Sequence, residues 1–196
     1  MTELSTRAQI VENADALFYE AGFEATSFAD IAQALGISRG NFYYHFKTKD
    51  EILDAVIRRR LALTRSLLAD WEAEHQAPAE RIIAFINILI ANRAKIMAFG
   101  CPVGTLSTEL AKLDHAAQSR AAEIFGLFRD WLAGQFRLAG QEAGAKGVGA
   151  EALALHLLAR VQGVAVLANA FRDEAFLCSE VAALERWVRA LPALAH

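Results

Sequence analysis

In the stretch "TSFADIAQALGISRGNFYYHFKTKDEIL", residues 26–53, three helix starts follow one another closely. Ser27 with Asp30, and Thr48 with Glu51, have the spacing of capping boxes, and Ser38 stands between them as a further N-cap. Gly36 follows the last apolar residue of the first segment, where a left-handed C-terminal stop belongs. The helices so delimited have room for only about two turns each, too short to persist alone in water. They must pack on neighbours, and the apolar residues state how. Phe28, Ile31, Ala32 and Leu35 form one face of the first, while Phe42 and Phe46, four apart, form one face of the second. Arg39, Asn41, Tyr43, Tyr44 and His45 are left on the other faces.

Helices are expected throughout. The 196 residues are 55 % hydrophobic with 3 prolines, and long Ala/Leu/Glu/Arg stretches favour an all-α fold with a sizeable core. A leading helix spans about Glu3 to Ala21, with Ile10, Ala14, Leu17 and Phe18 inward and Gly22 as its stop. Thr48 opens a fourth helix running to about Trp71. "AERIIAFINILIANRAKIMAF" after Pro78 reads as one helix, "VGTLSTELAKL" after Pro102 as a short one, and "HAAQSRAAEIFGLFRDWLAGQFRLAG" as a long one. Two more cover about Glu151 to Arg172 and Ser179 to Leu191, and Gly140 to Ala150 reads as a flexible loop. The expected division is residues 1–48 as a head, 49–71 as a connecting helix and 72–196 as a body.

"MTELSTRAQIVENADALF" lacks the apolar core of a signal peptide. Ile82 to Ala91, the longest apolar stretch, contains Asn87 and is too short to span a bilayer. A cytoplasmic chain with Cys101 and Cys178 reduced is therefore expected. The net charge of -3 argues against a general polyanion binder, but its distribution is uneven. No carboxylate lies between Asp30 and Asp50, where Arg39, Lys47 and Lys49 fall, so any such site is narrow and local. Arg58, Arg59 and Arg60 read as a solvated helix face.

Two short helices joined by "LGIS" make a helix-turn-helix, which lays its second helix in the DNA major groove. An acid-free, aromatic-rich exposed face suits phosphate contact. Arg39 and Asn41, in the first turn of that helix, have the side chains that pair with guanine and adenine edges. Gly40 lets the backbone approach the duplex. Ser27 and Thr26 are phosphate donors at a helix N-terminus.

"FADIAQALGISRGNFYYHFKTKDEIL" resembles the DNA-binding segment of the tetracycline-repressor (TetR) family, over about residues 7 to 60. The resemblance implies a homodimeric, ligand-responsive transcriptional regulator with a three-helix head and a helical body. It implies phosphate contacts for Tyr43, His45 and Lys49 and a base or sugar contact for Tyr44. It also implies that the last two helices form a four-helix dimer interface, a partner for the nearly all-round apolar "AEALALHLLARVQGVAVLANAFRD". From pattern alone, an internal core helix fits that segment equally.

Phe85, Asn92, Phe128, Gln135 and Gln162 are candidate ligand-pocket residues, mixing apolar walls with orienting polar groups. Pro102 should open a helix with Cys101 at its N-cap. That placement favours a thiolate, and apolar Phe99 and Val103 oppose it. Gly100, Cys101, Leu106 and Glu109 resemble a TetR subgroup that senses electrophiles and oxidants through cysteine, but Asn169 stands where that subgroup has a lysine. Alkylation or oxidation of Cys101 stays open beside a reversible small ligand. Two alternatives compete: a thiol enzyme using Cys101 with His115 or His156 as base, and a helical interaction module without DNA. The sequence offers no metal cluster, phosphate loop or Ser-His-Asp set, and no enzyme or cofactor is expected.

Overall fold

The computed structural model describes residues 5–142 and 149–191, so most of the glycine-rich stretch lies outside the described residues. Among the described residues ten helices follow in order: α1 Thr6–Glu20, α2 Phe28–Leu35, α3 Arg39–His45, α4 Lys49–Glu74, α5 Pro78–Ala91, α6 Arg93–Phe99, α7 Pro102–Lys112, α8 Gln118–Glu142, α9 Ala150–Phe171 and α10 Glu174–Ala190. The all-α expectation holds.

Two boundaries differ from the sequence reading. The segment after Pro78 is two helices, because Asn92 leaves the helical region (φ -111, ψ 13) and its Nδ2 donates to Ile88 O at 2.9 Å. An asparagine side chain that binds its own backbone competes with helix continuation. The last helix begins a turn earlier than Ser179, since Asp173 caps it by accepting from Phe176 N at 2.9 Å.

The chain forms two compact units, Met1–Leu63 with Pro102–Glu123, and Thr64–Cys101 with Ile124–His196. In the first, Ile10, Ala14, Phe18, Ile31, Phe42, Phe46, Ile52, Leu53 and Val56 bury a core that α7 extends with Leu106 and Leu110. Segment 102–123, expected in the body, joins the head through long-range bonds. Arg60 is 8 % exposed and donates from Nε to Asp15 Oδ1 and from Nη1 to Pro102 O, both at 2.6 Å. Arg59 binds Asp15 at 2.7 Å and Glu12 at 3.0 Å. Arg58 is exposed and pairs with Asp54. The arginine run is thus a solvated face only at Arg58. Arg60 is a buried ion pair, whose charge requires its partner.

In the second unit α5 packs against α10, bridged by Asn87 Nδ2 to Glu185 at 2.7 Å and Arg189 to Glu80 at 2.9 Å. α9 is long and apolar enough to cross a bilayer by length and composition, at mean hydropathy 1.4. His156 and Arg160 interrupt its apolar run in the sequence. Its inward face buries Ala154, Leu157, Leu158, Val161, Val164, Ala165 and Ala168, the one-sided pattern of a helix packed along one face.

Candidate nucleic-acid interface

The two short helices are set by their ends. Ser27 Oγ accepts from Asp30 N at 3.2 Å while the Asp30 carboxylate accepts from Ser27 N at 2.7 Å, a complete capping box. The Ser27 hydroxyl and then its backbone N–H, donating to Asp30, hold that carboxyl below the ordinary aspartate range. Gly36 closes α2 at φ 65, and Ser38 Oγ caps α3 by accepting from Asn41 N at 3.3 Å. At the start of α4, Thr48 Oγ1 accepts from Glu51 N at 3.1 Å, but Glu51 reaches back one residue further than a capping box, to Lys47 N at 2.7 Å.

Packing then decides which face of α3 remains outside. Phe42 and Phe46 are each 1 % exposed. Phe42 meets the Phe28 ring at 5.1 Å, and Phe46 lies under the Arg7 guanidinium at 4.5 Å. With these two inward, Arg39, Gly40 and Asn41 are exposed, Tyr44 is 79 % exposed, and Tyr43 is 46 % exposed with its ring edge against Phe28. His45 is half-buried against Tyr44. A Cβ at Gly40 would meet nothing within 4 Å, so α3 has open space at that point. This face carries donors and no carboxylate, the requirement for approaching phosphate.

Two predicted residues sit otherwise than a solvent-facing donor would. Thr26 is 3 % exposed, and its hydroxyl donates to Gly22 O at 2.7 Å. It is a core residue closing the α1–α2 turn, with its hydroxyl turned away from solvent. Lys49 is half-buried: its ammonium donates to Phe23 O and Glu24 O, each at 3.1 Å, and lies 4.4 Å from the centre of the Phe23 ring. Sequence reasoning missed Arg7 and Phe23, whose partners lie too far along the chain for any local pattern to mark.

The ligand candidates lie in the second unit. Phe85 and Phe128 are buried with ring centres 5.4 Å apart. Gln135 is buried in a closed network, accepting from Arg81 at 3.2 Å and donating to Glu72 at 3.2 Å, with Trp131 Nε1 on the same Glu72 oxygen at 2.8 Å. Asn92 is exposed and lines an open groove of about 490 Å³ with Leu67, Trp71, Ile83 and Asn87. Gln162 is half-buried on α9. Cys101 is partly buried immediately before α7, and Asn169 donates to Met97 O at 3.0 Å. Among the described residues no cluster able to hold a metal is present.

Residues 10–56 match the model of bacterial regulatory proteins of the tetR family, and residues 78–183 match that of the C-terminal domain of LmrA/YxaF-like transcriptional regulators. The chain belongs to the TetR family. It is 26 % identical over 168 residues to the transcriptional repressor DhaR of Mycobacterium sp. (strain GP1), covering 83 % of this chain and 82 % of that one. An uncharacterized regulator in the lacX 3' region of Lactococcus lactis is 28 % identical over 123 residues, and the match spans 63 % of that relative's length. A TetR regulator of Legionella pneumophila superposes with a TM-score of 0.81 at 26 % identity, covering 95 % of this chain and 98 % of that one. TetR proteins are transcriptional regulators and not enzymes, which removes the thiol-enzyme reading. They bind operator DNA, typically as dimers, with small-molecule ligands.

Proposed function

We propose that this TetR-family chain is a cytoplasmic repressor that binds a palindromic operator as a homodimer and is released by a small molecule or by modification of Cys101. The observation that carries the reading is the exposed, acid-free face of α3, with Arg39 and Asn41 outside and Phe42 and Phe46 beneath. Selection of fragments from random genomic DNA by the purified, reduced protein tests it. Enrichment of a short palindrome is expected, and sequence-indifferent, salt-sensitive retention alone would refute it.

Within that reading, Arg39 and Asn41 read base edges, and Ser27, Tyr43, Tyr44, His45 and Lys49 hold phosphate and sugar. The two roles separate experimentally. Arg39→Ala relaxes base preference at one operator position, at a cost of about 1–3 kcal/mol for the preferred sequence. Lys49→Met weakens binding to all sequences and lowers the salt slope by about one. Affinity measured across a salt series on selected and scrambled duplexes distinguishes the two.

The dimer reading rests on α9. Ala152, Leu155, Ala159, Gly163, Val166 and Ala170 are exposed and recur at spacings of three or four. A second copy covers such a stripe, and its small residues let the two backbones approach closely. Phe85, Phe128, Gln135, Asn92 and Gln162 stay the ligand candidates of the second unit. Alkylation of Cys101 by an α,β-unsaturated carbonyl is the covalent counterpart: sulfur bonds the β-carbon as the C=C π bond opens, and the thiol proton, passed through water, ends on the α-carbon. Either event releases DNA only by favouring the dimer whose heads miss the half-site spacing.

A further inference from the structure

We propose that Glu109 on α7 is a positioning residue for DNA binding, holding the α1–α2 turn and through it the Lys49 ammonium. The inference rests on the reading of Lys49 as a phosphate contact. After α1 ends, the chain reverses at Gly22 with φ 97, leaving the N–H groups of Phe23 and Glu24 without helical partners. Both find Glu109: Phe23 N donates to Oε2 and Glu24 N to Oε1, each at 2.9 Å, across 86 and 85 residues of chain. The carbonyls of the same two residues accept from Lys49 at 3.1 Å. The peptide unit joining Phe23 to Glu24 therefore lies between an anion and a cation, its N–H on Glu109 and its C=O on Lys49. Charge-assisted bonds at both ends of one peptide dipole reinforce each other.

The surroundings leave this turn little freedom. The Phe23 ring is 2 % exposed, with Lys49 over its face and His115 edge-on at 5.3 Å. His115 is itself oriented, accepting at Nδ1 from Ala117 N at 3.1 Å and facing Asp50 at 3.4 Å. At Gly22 a Cβ would stand 3.1 Å from Glu109 Oε1, so the glycine both takes the positive φ and clears room for the carboxylate. Glu109, which by resemblance belongs to a cysteine-sensing motif, thus acts on the head's own backbone.

The test is a salt series with the full chain on a short labelled duplex selected from a randomised pool, for wild type, Glu109→Gln, Glu109→Asp, Lys49→Met and the Glu109→Gln/Lys49→Met pair. Glutamine presents one acceptor and one donor to two N–H groups, so the turn loses a bond and Lys49 its seat. Glu109→Gln is expected to weaken binding about tenfold and lower the salt slope by about one, as Lys49→Met does. In the double variant it adds little, and Glu109→Asp restores part of the slope. A folded fraction that is constant across the series leaves the slope unchanged, and circular dichroism at each salt concentration checks that it is constant. A wild-type slope in Glu109→Gln, or losses that add in the double variant, overturns the inference. If Lys49→Met keeps the wild-type slope, the phosphate reading of Lys49 fails and this inference fails with it. If Lys49→Met lowers the slope and Glu109→Gln does not, this inference alone fails.

Discussion

Replacing Val166 with arginine is expected to give a folded monomer that no longer holds its operator. Val166 is 62 % exposed on α9, so within the subunit the arginine meets solvent and costs stability within about 0.5 kcal/mol. In the proposed dimer the same position faces a second copy of the stripe, and two guanidinium groups would be brought together there without counter-charges. Two heads joined in one dimer bind as a linked pair, and separating them forfeits the effective concentration of the second head. The expected loss of operator affinity is about 10²–10⁴-fold. Sedimentation of the variant, with an unfolding midpoint near wild type and a parallel affinity titration, checks all three parts. A dimer that persists would remove α9 from the interface.

The second large effect concerns the interior of the head. Phe42→Ala deletes a ring that is 1 % exposed and in contact with Phe28 and Tyr43. Such truncations cost about 3–5 kcal/mol, a large share of the roughly 5–15 kcal/mol that holds a domain folded. The head of this variant should unfold at markedly lower denaturant, with DNA binding lost in parallel. Tyr44→Ala, two residues on and 79 % exposed, should leave the midpoint unmoved while weakening DNA binding. The pair separates the residues that build the reading helix from those that use it.

The exposed face of α3 was legible because each of its determinants is local. Capping at Ser27 and Ser38, the stop at Gly36 and the four-residue spacing of Phe42 and Phe46 all act within one turn of helix, so adjacent residues suffice to decide which side chains point outward. Thr26 shows the limit of that reasoning. Next to an N-cap it looks like a donor to solvent, yet its hydroxyl turns inward to Gly22 O, a choice made by the path of the preceding turn. A pocket depends on the relative positions of several helices, which no single periodicity encodes. Gln135 was recognisable as polar in an apolar helix, but its closure with Arg81 and Glu72 was not.

By itself the sequence determined the all-helical class, the ends of α2, the start of α3, the acid-free face of α3 and the apolar surplus of α9, since these follow from contacts between residues a few positions apart. Only the tertiary structure decided that α7 belongs with the head, that Arg60 is buried on Asp15, and that Glu109 and Lys49 grip one peptide unit from opposite sides. Those bonds join residues tens of positions apart, and their partners become neighbours only once the helices have packed.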